Sequence, residues 1–501
     1  MRSRGLLLAI DQGTTNTKAV LVGKDGRSVF VASASVGVTH PRSDWVEQDP
    51  IALWESVEQA VAECVKAAGD QGIAAVGIAN QRETVVAWDR ATGVPVAPAI
   101  IWQCRRSAEI CARLEKSGAG EMIRARTGLG IDPLFSASKM GWLLENVSGL
   151  RERTEAGEVC FGTVDSWLIW ELTGGRVHAC DASNASRTQL FNLESGIWDS
   201  ELLRLFDVPL VALPEVRDSS GSFGECVGIA GLDGVPILSA MGDSHAALAA
   251  HGAHAPGTVK ATYGTGSSVM TLLPKFSVAE HGASTTIAWR VKGQTQFALE
   301  GNVSMTGSAV RWVGEFLELA KPTEDAVRLA ATVEDSGGVY FVPAMVGLGA
   351  PHWDTEVRGA LMGLGRNSKS GHMARAAIEA IAFQIRDVLE AMEMVAGHEL
   401  STLRADGGAT KNDELMQFQA DVLGRVVVRS ETEELSALGA AWMAGLELGW
   451  WDSLQEFEAL VREPVRFVPK MVTDERERRY NGWKNAVAKA RYRPCPTERV
   501  R

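Results

Sequence analysis

The residues best suited to chemistry in this chain stand at turns that follow apolar strands. Asp11-Gln12-Gly13-Thr14-Thr15 interrupts an apolar run that starts at Leu6 and resumes at Ala19. Gly13 allows a tight turn, and backbone N–H groups with the hydroxyls of Thr14 and Thr15 can then face an anion. Asp11 can hold Mg²⁺ through water, because that ion takes few carboxylates and keeps most of its waters. The same segment also reads as a plain hairpin turn with Asp and Gly in turn roles. It is neither G-x-x-x-x-G-K-[ST] nor a G-x-G-x-x-G opening a helix, so those two phosphate fingerprints are excluded. Gly264-Thr265-Gly266 and Gly407-Gly408 are further glycine turns, each after an apolar strand. One such turn is an ordinary loop. Three, spread over both halves, point to a phosphate cleft.

Asp243 is placed where an apolar strand, 237–241, gives way to an alanine-rich helix, 244–251. A carboxylate at such a junction can take the proton of an attacking hydroxyl, and it can equally cap the helix. Arg82 and Glu83 follow the strand ending near Asn80. A donor fork beside an acceptor carboxylate suits a vicinal diol, provided the strand ends there and both side chains reach one side. The alternative is a surface ion pair of little consequence. Trp102 is either a core aromatic, the default for tryptophan, or a platform for a carbon chain. Trp142, Trp167, Trp170, Trp198 and Trp312 are read as core.

Elements must hold these groups in place. The first 35 residues read as three strands in an antiparallel meander, with Lys24-Asp25-Gly26-Arg27 as the second turn. Asp49-Pro50 opens a helix, and Trp54, Val57, Val61 and Val65 form its apolar stripe. A buried strand over 73–78 follows, so the start is mixed α/β. The cluster His254-Ala255-Pro256-Gly257 is the expected domain boundary, and the hairpin after it echoes the first in kind. The echo suggests two related domains facing one cleft.

The 501 residues call for more than one domain. A net charge of −12 disfavours nucleic acid as a partner, although one nucleotide needs only a few N–H groups and a metal. Seven scattered cysteines without C-x-x-C read as reduced thiols of a cytosol-like compartment. Arg2 and Arg4 precede an apolar run that Asp11 ends too early for a signal peptide, and no run is long enough to span a membrane.

Taken together these motifs resemble the FGGY carbohydrate kinases, and most closely the glycerol-phosphorylating branch. The likeness runs through Ala9 to Thr15, Trp45-Val46-Glu47 with Asp49-Pro50, Asn80 to Thr84, Ile101 to Arg106, Ile131-Asp132-Pro133 and Phe161 to Asp165. It continues through Asn184 to Thr188, Tyr263 to Gly266, Gly347 to Pro351 and the second family signature, 359–379. The resemblance implies an α/β fold of two actin-like (ribonuclease H-like) domains, 1–253 and 254–501, with ATP and substrate in the cleft. It implies a cytoplasmic enzyme, a homodimer or homotetramer, that transfers phosphoryl from Mg·ATP to a small polyol. Asp243 falls on the family's catalytic base, and Asp11 with Asp243 on its metal-associated carboxylates. Thr14, Thr15, Asn16, Lys18, Thr265, Gly307, Arg311, Gly408 and Asn412 fall on nucleotide-contact positions. Lys18 stands where relatives carry arginine and Arg311 where they carry glutamine, and both still supply donors. Arg82, Glu83, Trp102 and Asp243 match polyol contacts. Leu134, Ser244 and Ser268 replace the family's tyrosine, glutamine and phenylalanine at three others. All three changes remove bulk, so a longer pocket is expected, in which a four- or five-carbon alditol or ketose competes with glycerol. A nucleotide-driven switch of the same fold is disfavoured by Arg82, Glu83 and Trp102, for which it has no use.

Overall fold

The computed structural model describes residues 5–252, 254, 257–279, 282–432, 434–461 and 464–493. Arg2, Arg4, Ala253, Ala255 and Pro256 therefore lie outside the described residues. The expected meander forms: β1 (Leu6–Gln12), β2 (Asn16–Val22) and β3 (Ser28–Ser35) pair antiparallel in sequence order. α1 (Pro50–Ala68) starts at the expected place. Asp49 accepts the N–H of Ile51, Pro50 fills the first turn, and Val57 and Val61 are buried. β4 (Ile73–Asn80) and β5 (Ile237–Gly242) then add parallel to β1, giving the order β5-β4-β1-β2-β3. Gln12, Asn80 and Gly242 sit side by side in this register. The segments that leave these strands, carrying Thr14, Arg82 and Asp243, thus emerge along one edge of the sheet.

α2 (Asp243–Ala250) leads toward the second sheet. That sheet contains β6 (Thr258–Tyr263), β7 (Ser267–Leu273), β8 (Ser284–Val291) and β9 (Gln294–Val303). Its other half is β10 (Thr402–Asp406), β11 (Val426–Arg429) and β12 (Val465–Phe467). The order is β8-β9-β7-β6-β10-β11-β12, with β6, β10 and β11 mutually parallel. An antiparallel run β9-β7-β6 beside parallel β10 and β11 repeats the plan of the first sheet. The echo noted in the sequence is thus topological.

The two sheets share an apolar layer. Leu7, Ala9 and Val20 of the first sheet and Met270 and Ala298 of the second belong to one buried cluster with α2 and α6 (Leu435–Glu447). Those helices touch closely: a Cβ on Gly439 would lie 1.9 Å from the carbonyl oxygen of Ala246. Ser239 Oγ donates to the Ala440 carbonyl at 2.6 Å, and Trp442 Nε1 to that of Gly26 at 2.9 Å. So α6, late in the chain, covers the early sheet. Six described cysteines are free and buried. Among the described residues no helix is long and apolar enough to cross a membrane.

The last helix among the described residues, α7 (Thr473–Arg491), docks on the long helix Ser370–Ala396 through a buried carboxylate. Tyr480 Oη and Trp483 Nε1 both donate to Asp387, each at 2.7 Å. Burial pushes the Asp387 carboxyl up to about 7, outweighing the two hydrogen bonds. The folded state therefore holds its proton more tightly than the unfolded chain. Stability from this group is full below pH 4 and is lost as pH rises toward 7. Asp387→Asn is expected to flatten the stability curve over that window, gaining on the parent as pH rises. Urea unfolding at a series of pH values measures this.

Candidate active site

Asp243 is the first residue of α2, but the helix cap is Gly242. Among the described residues the Asp243 carboxylate accepts only the adjacent Ser244 N–H, at 2.6 Å, and faces Arg82 Nε at 3.3 Å. Both contacts meet Oδ1. The side chain is 37% exposed, so the group opens to the cleft. A helix cap is therefore not its role. Burial raises its pKa, while Arg82, the Ser244 N–H and Lys260 of β6 oppose. Asp11 is pushed up to about 7, by burial first and then by the charge of Asp243, with Lys18 opposing. Asp11, whose ionisation the charge of Asp243 discourages, and Asp243 are the carboxylates here that could hold a hydrated divalent cation.

Arg82 and Glu83 do reach one side. β4 ends at Asn80, and Glu83 takes a left-handed backbone, φ 63°, which a side chain adopts only under local constraint. The Glu83 carbonyl is held by Ser136 Oγ at 3.1 Å and Lys139 Nζ at 3.2 Å. The surface-pair reading is wrong, because both residues are buried. Arg82 Nη1 donates to Glu300 at 2.7 Å, and Arg187 Nε to Glu83 at 2.7 Å. Arg187 Nη1 lies 2.9 Å from the other oxygen of Glu300. Asp243, Arg82, Glu300, Arg187 and Glu83 thus form a chain of alternating charge under the cleft. Burial would raise the Glu300 carboxyl, but Arg187 and Arg82 hold it far below its ordinary value.

Trp102 is not core. It is 36% exposed, and its Nε1 donates to Thr14 Oγ1 at 2.9 Å, tying it to the first glycine turn. Trp167 and Trp170 are buried as expected, while Trp142, Trp198 and Trp312 are only partly so. Leu134 is half-buried in the turn before the helix Ser136–Asn146, its carbonyl bonded by Lys139. Ser244 is half-buried, and Ser268 Oγ donates to Glu300 at 3.0 Å.

The three glycine turns come together in part. Gly13 N–H closes its turn on the Asn16 carbonyl at 3.0 Å, with Thr15 and Asn16 exposed. Gly307, opening the helix Gly307–Phe316, donates to the Gly264 carbonyl at 3.0 Å, and Thr265 O accepts from Thr306 and Ser308. Gly407 has φ 94°, and a Cβ there would lie 2.5 Å from Tyr263 O. The second turn, Gly307 and Gly408 are therefore neighbours. Lys18 does not stand free: Nζ meets both oxygens of Glu434, at 2.8 and 3.0 Å. Arg311 is exposed and pairs with Glu315 on its own helix, and Asn412 caps the helix Asp413–Leu423.

Glu300, Arg187 and Glu434 escaped the reading of the sequence as site partners. Two signals were visible: Glu300 is a lone charge after the apolar Phe297-Ala298-Leu299, and Arg187 lies in the family motif Asn184 to Thr188.

Known proteins match this chain over most of its length. The model of the N-terminal domain of the FGGY family of carbohydrate kinases matches residues 6–250, and that of the C-terminal domain residues 259–448. Glycerol kinase of Thermus brockianus is 49% identical over 489 residues, covering 97% of this chain and 98% of the relative. Glycerol kinase 2 of Thermotoga maritima is 46% identical over 488 residues, with coverage of 97% and 98%. The crystal structure of Plasmodium falciparum glycerol kinase with ADP superposes with a TM-score of 0.92 at 31% identity, covering 98% of this chain and 99% of that one.

Proposed function

The chain belongs to the FGGY family of carbohydrate kinases and is an ATP-dependent kinase, and we propose that its acceptor is a terminal hydroxyl of a small polyol, glycerol first. The observation that carries this reading is Asp243, a carboxylate at a strand-to-helix junction that is open to the cleft and not spent on a helix cap.

In the reaction proposed, the acceptor oxygen attacks the γ-phosphorus and gives its proton to Asp243. The O–P bond forms as the β,γ-bridging bond breaks and ADP leaves. Arg82 donates to one acceptor hydroxyl and Glu83 accepts from its neighbour, while Trp102 walls the carbon chain. Backbone N–H groups of the turns at Gly13, Gly264 and Gly408 cradle phosphates, with Thr14, Thr15, Asn16, Lys18, Thr265, Gly307, Arg311 and Asn412 as further nucleotide contacts. Asp11 and Asp243 would hold Mg²⁺ through water, and the ion supplies charge neutralisation on the phosphates. Such a site works by positioning and electrostatics. The domain boundary is proposed at 253/254.

A second reading is favoured by Leu134, Ser244 and Ser268, which leave room where bulk would narrow the pocket. In this reading a four- or five-carbon alditol or ketose is the preferred acceptor. One methylene in a pocket is worth about 10–200-fold, so rates can separate the readings. Specificity constants are measured across glycerol, erythritol, threitol, xylitol, dihydroxyacetone and xylulose. Glycerol leading by orders of magnitude removes the wider pocket. A longer polyol leading establishes it, and no turnover of any polyol removes both.

A further inference from the structure

Glu300 takes no part in the reaction as described, yet it lies beneath both acceptor contacts. It is fully buried in β9, and its carboxylate meets three partners. Oε1 accepts from Arg82 Nη1 at 2.7 Å and from Ser268 Oγ at 3.0 Å, and Oε2 faces Arg187 Nη1 at 2.9 Å. Arg82 and Arg187 come from the first half of the chain, and Glu300 and Ser268 from the second sheet.

The atoms left over matter. Arg82 spends Nη1 on Glu300 and turns Nε to Asp243, so neither contact uses Nη2. Arg187 takes Oε1 of Glu83 and leaves Oε2. One donor on Arg82 and one acceptor on the adjacent residue Glu83 are therefore not spent on these contacts, a pair suited to two neighbouring hydroxyls. We propose that Glu300 is a positioning residue for the acceptor: it pins the Arg82 fork directly and the Glu83 carboxylate through Arg187. Without its charge, Asp243 becomes the nearest counter-charge of Arg82, the guanidinium swings toward the base, and the two hydroxyl sites separate. Among the described residues the nucleotide turns at Gly264 and Gly408 make no hydrogen bond or ion pair to its carboxylate, whose partners are Arg82, Ser268 and Arg187. This inference rests on the reading of Arg82 and Glu83 as the polyol pair.

The test is steady-state kinetics of Glu300→Gln with the polyol the parent uses best. The expected result is a polyol KM raised on the order of tenfold or more, with the ATP KM as in the parent. Glu300→Asp, which restores the charge at shorter reach, recovers part of the loss. A lowered kcat with both KM values unchanged, or both KM values rising together, would mean that Glu300 only supports the fold, and overturns the proposal. If Glu300→Gln fails to fold, Arg187→Lys is measured instead: it keeps the charge and loses the fork, with the same expected split and the same overturning results. Arg82→Met, run alongside, separates two failures. If it leaves the polyol KM unchanged, the reading of the pair is wrong. If it raises that KM and Glu300→Gln does not, the inference about Glu300 alone is wrong.

Discussion

Replacing Asp243 with asparagine is expected to lower kcat about 10²–10⁴-fold while leaving the KM for ATP near the parent's value. Asparagine has the same shape and can still accept the Ser244 N–H through its amide oxygen, so α2 should start where it does now. What is lost is the group proposed to take the proton of the attacking hydroxyl. At about 1.36 kcal/mol per factor of ten, the range corresponds to roughly 3–5 kcal/mol of barrier. Arg82 keeps its stronger partner, Glu300 at 2.7 Å, so the floor of the cleft should survive the change. Stopped-time assays of ADP formation with saturating polyol measure it. A variant as active as the parent would remove Asp243 from the chemistry.

The second large effect is on stability. Arg187→Met is expected to destabilise the fold by about 3–5 kcal/mol, the usual cost of removing one partner from a buried ion pair. Arg187 is fully buried between Glu83 and Glu300, with its guanidinium 5.1 Å from the centre of the Phe135 ring. Methionine fills the space and leaves both carboxylates short of counter-charge. The pH dependence has a definite sign. In the parent the Glu300 pKa is depressed in the folded state, so its contribution is full above the unfolded value, about 4.3, and is lost toward acid. The gap between parent and variant should therefore be widest near neutral pH and narrow below about pH 4. Urea midpoints at several pH values check both magnitude and trend. A loss under about 1 kcal/mol would mean that the buried chain of charges does not hold this floor together.

The two variants probe different kinds of information in the chain. The placing of Asp243, Asp11 and the three glycine turns at strand ends was legible as sequence because it is set by near neighbours. A strand that stops at Gly13 or Gly407 must turn there, and a glycine is what such a turn can use. The cap at Asp49, the meander over β1–β3 and the strand-to-helix junction at Asp243 rest on neighbours a few residues away, and each formed where expected. Family motifs are what carry the nucleotide and acceptor contacts proposed above.

Three ambiguities were resolved only by the tertiary structure. Trp102 could be core or wall, and its exposed place beside Thr14, 88 positions away, takes it out of the core. Arg82 and Glu83 could be a surface pair, and burial against Glu300 and Arg187, 218 and 104 positions away, decides for the cleft floor. Asp243 could cap a helix, and Gly242 does that instead. By itself, then, the sequence determined which turns and which carboxylates were available for chemistry. The tertiary structure decided which guanidinium meets which carboxylate. That pairing depends on the register of β7 on β9 and on the closure of two sheets around α2 and α6, and strand register and packing between distant segments leave no local mark on the residues they join.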